Sequence, residues 1–244
     1  MQWRDEAIVI GLRRHGENHV IAEVFAREHG RWRGLVHGGA GRHKRAWLQP
    51  GNLVLAEWRA RVAEQLGSLR VEPEPGLQPA ALALGDRVAL GVLQAVTAAL
   101  ALCPERAPHP RLYAGARLVL NNLSDDIIAP ALLARFELAL LAELGYGLDL
   151  SRCALTGATE DLAWVSPATG RAATRAAGAP WADRLFPLPG FLLKGDAEPP
   201  RREEVARALE LTGHFLQRRL LDPQERAMPA ARLALPDILR HGKV

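Results

Sequence analysis

Cysteine is almost missing from this chain of 244 residues: Cys103 and Cys153 are its only two. Thiols so far apart, one in an apolar run and one in a mixed one, make no disulfide framework and suit a reducing cytoplasm. Lysine is nearly as scarce, with Lys44, Lys194 and Lys243 set in an Arg-, Ala- and Leu-rich background. That bias reads as genome composition, so the position of a cation says more than its type. Long apolar runs are also lacking. The longest uncharged stretch, Val88 to Pro104, is broken by Gln94 and Thr97; it falls short of the roughly 20 residues a bilayer span needs and reads as a buried helix. The opening "MQWRDEAIVIG" carries charge where a signal peptide needs a clean apolar run.

Catalytic signatures are missing too. None of the eight histidines forms an HExxH pair, and no nucleophile elbow occurs. The run Gly38-Gly39-Ala40-Gly41 lacks a Gly-Lys-Ser/Thr ending and a clear helix after it, so no hydroxyl is placed for magnesium. The acidic pairs Asp5-Glu6, Asp125-Asp126, Glu160-Asp161 and Glu203-Glu204 are scattered, and two of them suit helix first turns. A metal-dependent nuclease needs carboxylates clustered. The expectation is a protein that is not an enzyme and carries no cofactor.

What is present is localised positive charge. Net charge is +4 and the isoelectric point is near 9.6. Between Arg27 and Arg61 stand 8 basic residues against 2 acidic ones, whereas the chain beyond residue 75 is balanced at 19 against 18. The same front segment reads as five short strands: "EAIVIGLR", "HVIAEVFAR", "RWRGLVHG", "NLVLAEWRAR" and "GSLRVE". In the fourth, Val54, Ala56, Trp58 and Ala60 alternate with Leu55, Glu57, Arg59 and Arg61, giving one apolar face. "EHGR" reads as a tight hairpin with Gly30 at positive φ, and "AEQL" as a further turn. Five strands of this length suggest a closed barrel, of which the OB fold is the commonest that binds nucleic acid.

Four of the six tryptophans, Trp3, Trp32, Trp47 and Trp58, lie in this segment. Phosphates need cations and unpaired bases need flat apolar faces. Arg31-Trp32-Arg33 and Lys44-Arg45-Ala46-Trp47 interleave the two, so Trp32 and Trp47 are the stacking candidates, while Trp58 faces the core. The competing reading of "VHGGAGRHKRAWLQPGN" is an ordinary solvated loop.

"EPEPGLQP", residues 72–79, is a Pro-rich acidic break and the expected linker. Beyond it the period turns helical. Val88, Val92, Val96, Leu100 and Cys103 form one stripe, and Leu112, Ala116, Val119 and Leu123 another. Leu133, Phe136, Leu140 and Leu144 form a third, capped by Ser124-Asp125-Asp126 and ended by Gly145 or Gly147. A last helix spans about 200–220, and residues 148–199 between them are irregular. The expected fold class is α+β: a five-stranded OB barrel over 1–75, then a mainly α-helical domain over 80–244.

Three blocks, "WRDEAIVIGLRRHGENHVIAEVFAREHGR", "VHGGAGRHKRAWLQPGNLVLAEW" and "LLARFELALLAELGYGLDLSRCALTG", resemble the RecO family of bacterial recombinational repair. The resemblance covers nearly the whole chain. It implies binding of single- and double-stranded DNA, strand annealing, and help, together with RecR, in loading RecA onto SSB-coated strands in the cytoplasm, at the nucleoid. It assigns DNA contacts to Arg31, Arg33, Arg42, Lys44, Arg45 and Arg59. It places a site for the acidic C-terminal tail of SSB near Arg135, with Leu133 and Leu140 at the tail's apolar tip. Some relatives carry a four-cysteine zinc module after the sequence "GYGLDLSRC". Here Cys153 stands alone, Thr156 sits where a partner could be, and no His occurs from Leu148 to Arg207, so this insertion is expected to be metal-free. Cys153 is then a small buried hydrophobe. The alternative is an OB-fold RNA-binding module, which charge and tryptophans fit equally; parallel binding of labelled DNA and RNA strands separates the two.

Overall fold

The computed structural model describes residues 1–62, 65–76, 78–193 and 199–242. Strands β1 (Gln2–His15), β2 (His19–Ala26), β3 (Gly30–Val36), β4 (Leu53–Arg59) and β5 (Ser68–Pro73) close into a barrel in the order β1-β2-β3-β5-β4. All neighbours are antiparallel except β3 and β5. This is the OB-like barrel the strand pattern anticipates. The expected apolar face of β4 is the inward one: Val54, Ala56 and Trp58 are buried, and Arg59 is exposed. Gly30 follows the Arg27–His29 turn with φ of 70°. The expected 63–66 turn includes Ala63 and Glu64, which lie outside the described residues.

Strand β1 contains a bulge. Val9 pairs with Val24 and Gly11 with Glu23, so Ile10 is an extra residue. Because side chains alternate with period two, one extra residue exchanges the two faces of the strand beyond it. Before the bulge Ala7 and Val9 point into the barrel. After it Leu12 and Arg14 pair with Ala22 and Val20, which are core residues of β2.

A short helix α1 (Arg42–Trp47) does follow the glycine run, contrary to the sequence reading. It is under two turns long and buries none of its own residues, so it leaves no periodic signature. Leu48, just past it, is buried among the barrel core residues.

The first compact unit is Met1–Ser124, so the break between units falls well after 72–79. Helices α2 (Pro79–Leu82), α3 (Arg87–Leu100) and α4 (Pro110–Asn121) belong with the barrel. The stripes expected on α3 and α4 are buried, and α3 packs on β1. Arg117 of α4 donates to Glu6 of β1, to Glu74 and to the Tyr113 hydroxyl. Burial is the main reason the Tyr113 hydroxyl is pushed up to about 12.

The second unit, Asp125–Val244, holds α5 (Ile128–Glu143), α6 (Arg175–Gly178), α7 (Arg202–Leu216), α8 (Ala230–Leu233) and α9 (Leu235–His241). The Asp125 carboxylate accepts from the N–H groups of Ile127 and Ile128, which holds its pKa below the usual range and caps α5. Gly145 ends the helix at φ of 85°. Residues 148–193 contain a three-stranded sheet, β6 (Leu162–Val165), β7 (Ala172–Thr174) and β8 (Phe186–Pro187), ordered β7-β6-β8. Cys153 is buried but is more than filler: its sulfur accepts from the Thr174 N–H at 3.3 Å. Hydrogen bonds, led by that of the Thr156 side chain, lower its thiol to about 6. Among the described residues no group of three or more His, Cys, Asp or Glu is arranged to hold a metal ion, and no helix is long and apolar enough to cross a membrane.

The second unit is tied by a buried ion pair. Arg232 of α8 meets Glu137 of α5 through two hydrogen bonds of 2.7 Å, and also donates to the Leu209 carbonyl of α7 at 2.8 Å. Both partners are at most 2% exposed. Removing one charge strands the other without water. Glu137→Gln is expected to cost about 3–5 kcal/mol in urea unfolding of this unit; a loss below about 1 kcal/mol would contradict the role given to the pair.

Candidate nucleic-acid interface

The barrel has two unlike ends. At one, Trp3, Trp32 and Trp58 pack together: the rings of Trp32 and Trp58 are 4.5 Å apart, those of Trp3 and Trp58 6.4 Å, and His29 stacks on Trp3 at 4.8 Å. The Trp58 indole donates to the Leu66 carbonyl and that of Trp32 to the His29 carbonyl. Trp58 is core, as its place in β4 foretells. Trp32 is half-buried in the same plug, with the Arg106 guanidinium 4.8 Å from its ring. Its ring also meets Trp3 edge-on at 5.6 Å, so these contacts occupy part of the surface expected to stack on a base.

The cations at that end are occupied as well. Segment 105–107 runs beside the start of β3, where the Arg106 N–H donates to the Arg31 carbonyl at 2.9 Å. Arg31 bonds Glu23 at 2.8 Å and approaches Glu105 at 3.7 Å. Arg33 also pairs with Glu105, and Arg59 with Glu57. Three of the expected DNA contacts are therefore neutralised by carboxylates.

The other end differs. Along β3, Arg31 stands about 16 Å and Arg33 about 10 Å from Val36, where the strand gives way to the glycine loop. At the loop end β1 and β2 carry Arg13, Arg14, His15 and His19, where Arg14 pairs with Val20 and His15 with His19. His37 lies edge-on to His19 at 5.1 Å. The loop is anchored by backbone: the Gly38 N–H donates to His19 Nδ1, the Ala40 N–H to the Asn18 carbonyl, and Lys44 Nζ to the His37 carbonyl. Behind α1, buried Asn52 donates to the Trp47 carbonyl and accepts from the Ala80 N–H. Trp47 is half-buried against the barrel core. Arg13, Arg14, Arg42, Lys44 and Arg45 face no carboxylate partner among the described residues.

Arg45, which stands on α1 with Arg42 and Lys44, is thus brought to one cavity with Arg14, whereas Arg13, paired with Ile21, lies on the opposite face of β1. The sequence reading singled out neither Arg13 nor Arg14. The signal for them was the "RRH" that ends the first strand, legible only once the β1–β2 register is known. The glycine loop is an ordered, positively charged surface.

In the second unit, Leu133 and Leu140 are fully buried. They belong to the core and present no surface to a partner, which corrects the contact expected of them. Arg135 of α5 is exposed, and its Nε donates to the Phe191 carbonyl at 3.0 Å.

Residues 1–73 match the family model described as recombination protein O N terminal, and residues 84–227 the one described as recombination protein O C terminal. A DNA repair protein RecO of Beijerinckia indica subsp. indica is 52% identical over 235 residues, spanning 96% of this chain and 93% of its own. Those of Methylobacterium nodulans and Rhizobium rhizogenes are each 50% identical, over 95% of this chain and 95% and 89% of theirs.

Replacing Arg42, Lys44 and Arg45 together by alanine is expected to flatten the plot of log affinity for a labelled single strand against log salt by about 2, since each neutralised phosphate of a single strand contributes about 0.7. The pair Arg31→Ala and Arg33→Ala should move it far less. Anisotropy titrations at several salt concentrations check this; an unchanged slope in the triple variant would put the loop outside the interface.

Proposed function

The chain belongs to the RecO family, and from that premise we propose that it is a recombinational-repair protein that binds and anneals single-stranded DNA through the loop end of its barrel. The observation that carries this reading is the group of cations there that face no carboxylate among the described residues: Arg14, Arg42, Lys44 and Arg45. Annealing of this kind needs no catalysis and no nucleotide motor. A positive surface that holds two polyanions lowers their repulsion and raises their local concentration, and base pairing does the rest. Sequence need not be read, so the contacts are to phosphates and to exposed base faces.

The barrel segment, 1–75, is assigned the DNA contact. Residues 80–244 are assigned the protein partners, through which, with RecR, the chain would help place RecA on SSB-coated strands. Arg135, exposed on α5, is the cation we assign to the acidic end of the SSB tail. The RNA-binding alternative draws no support from the second unit, whereas the repair reading covers both halves of the chain.

Stopped-flow mixing of complementary strands tests the core of this. The protein should speed annealing, and the Arg42, Lys44 and Arg45 triple alanine variant should lower that rate about tenfold at low salt, as expected when electrostatic steering is lost. Equal rates with and without protein would refute the annealing role. Separately, Arg135→Glu should weaken binding of an acidic SSB-tail peptide while DNA affinity holds; unchanged peptide affinity would retire that assignment.

A further inference from the structure

We propose that the mouth of the barrel holds one unstacked base of a bound single strand, an inference that rests on reading this end as the DNA interface. A cavity of about 320 Å³ opens there between the end of β1, the glycine loop and α1. Leu12, Val20, Ala40 and Leu48 supply its apolar walls, and Arg14, Arg45 and Gln49 its polar groups.

The bulge at Ile10 makes this cavity. Without the extra residue, Leu12 and Arg14 would occupy the outer face of β1. With it they share the side of Val20 and Ala22, at the point where the barrel core runs out. Leu12 remains 37% exposed there, an apolar group set among cations. The loop contributes no filling: at Gly39 a Cβ would lie 2.3 Å from Val20 Cγ2, so a larger residue cannot be seated without moving the loop. Bulges are common beside binding sites because they re-aim side chains in this way.

The lining fits a flat heteroaromatic ring with a hydrogen-bonding edge. The apolar walls would cover the faces of the ring. Gln49 donates its Nε2 to the Arg45 carbonyl, which leaves Oε1 as an acceptor for an exocyclic amino group. The guanidiniums of Arg14 and Arg45, with no carboxylate partner among the described residues, would take the phosphates on either side of that base. A duplex keeps its bases stacked and paired, so only a single strand offers a base at low cost. The cavity would thereby confer preference for single strands on a surface whose charges bind either form.

The test uses the full chain and a single-stranded oligonucleotide carrying 2-aminopurine at one internal position, scanned along the strand. Emission of this base rises when it leaves the stack. The wild-type protein should raise it severalfold at one or more positions. Ala40→Phe and Leu12→Trp, which fill the cavity from different walls, should each abolish the rise and lower the single-strand over duplex preference about tenfold, or about 1.4 kcal/mol. Salt-sensitive binding by wild type with flat emission at every position would overturn the cavity assignment and leave the DNA reading standing. Emission that rises equally in both variants would place the unstacked base elsewhere and also overturn it. Failure of wild type to bind any strand would overturn the DNA reading, and the cavity assignment with it.

Discussion

A guanidinium that already faces a carboxylate has little left to give a phosphate, and this constraint sorts the charges of the barrel. Arg31, Arg33 and Arg59 each stand against a glutamate, Glu23 or Glu105 in the first two cases and Glu57 in the third. Exposed pairs of this kind contribute little to stability, typically under about 1 kcal/mol. Their effect here is on availability: a phosphate would have to displace a partner held by the fold. The loop cations face no such competitor among the described residues. The positive excess of the front segment is thus concentrated into one end of the barrel by the placement of its acids as much as by that of its bases.

The two ends of the barrel solve different problems. Three tryptophans and a histidine seal one, where large rings fill what a five-stranded barrel cannot close with aliphatic side chains. Leu48 closes the other less completely, and the space left beside it is lined by residues that the β1 bulge turns inward. Offset rings in contact contribute about 0.5–1.5 kcal/mol beyond their burial, so the sealed end gives stability and the open end leaves a surface. Two features, a bulge of one residue and a glycine seated against Val20, set the shape of that surface.

Much of this was legible in the sequence, and the gaps have physical causes. Alternation in β4 identified Trp58 as core because its strand is half-buried and regular. The helical stripes from Val88 to Leu123 were equally plain. The role of Arg33 was not, since its partner Glu105 lies 72 residues away and only the tertiary fold joins them. The cluster at the loop end escaped notice because it depends on pairing Arg14 with Val20, a register shifted by the bulge. Strands of four, three and two residues are too short to show a period, so the small sheet within 148–193 was hidden. Leu133 and Leu140 carry a different lesson. The stripe that marked them as helical also marked the buried side of the helix, and a side chain with no exposed surface cannot greet a partner.

Arginine-selective modification read by mass spectrometry, with and without a saturating single strand, tests most directly which end of the barrel meets DNA. Protection of Arg14, Arg42 and Arg45 on binding, with the reactivity of Arg31, Arg33 and Arg59 unchanged, is the result this account requires. Protection of the second set while the first stays reactive would contradict it.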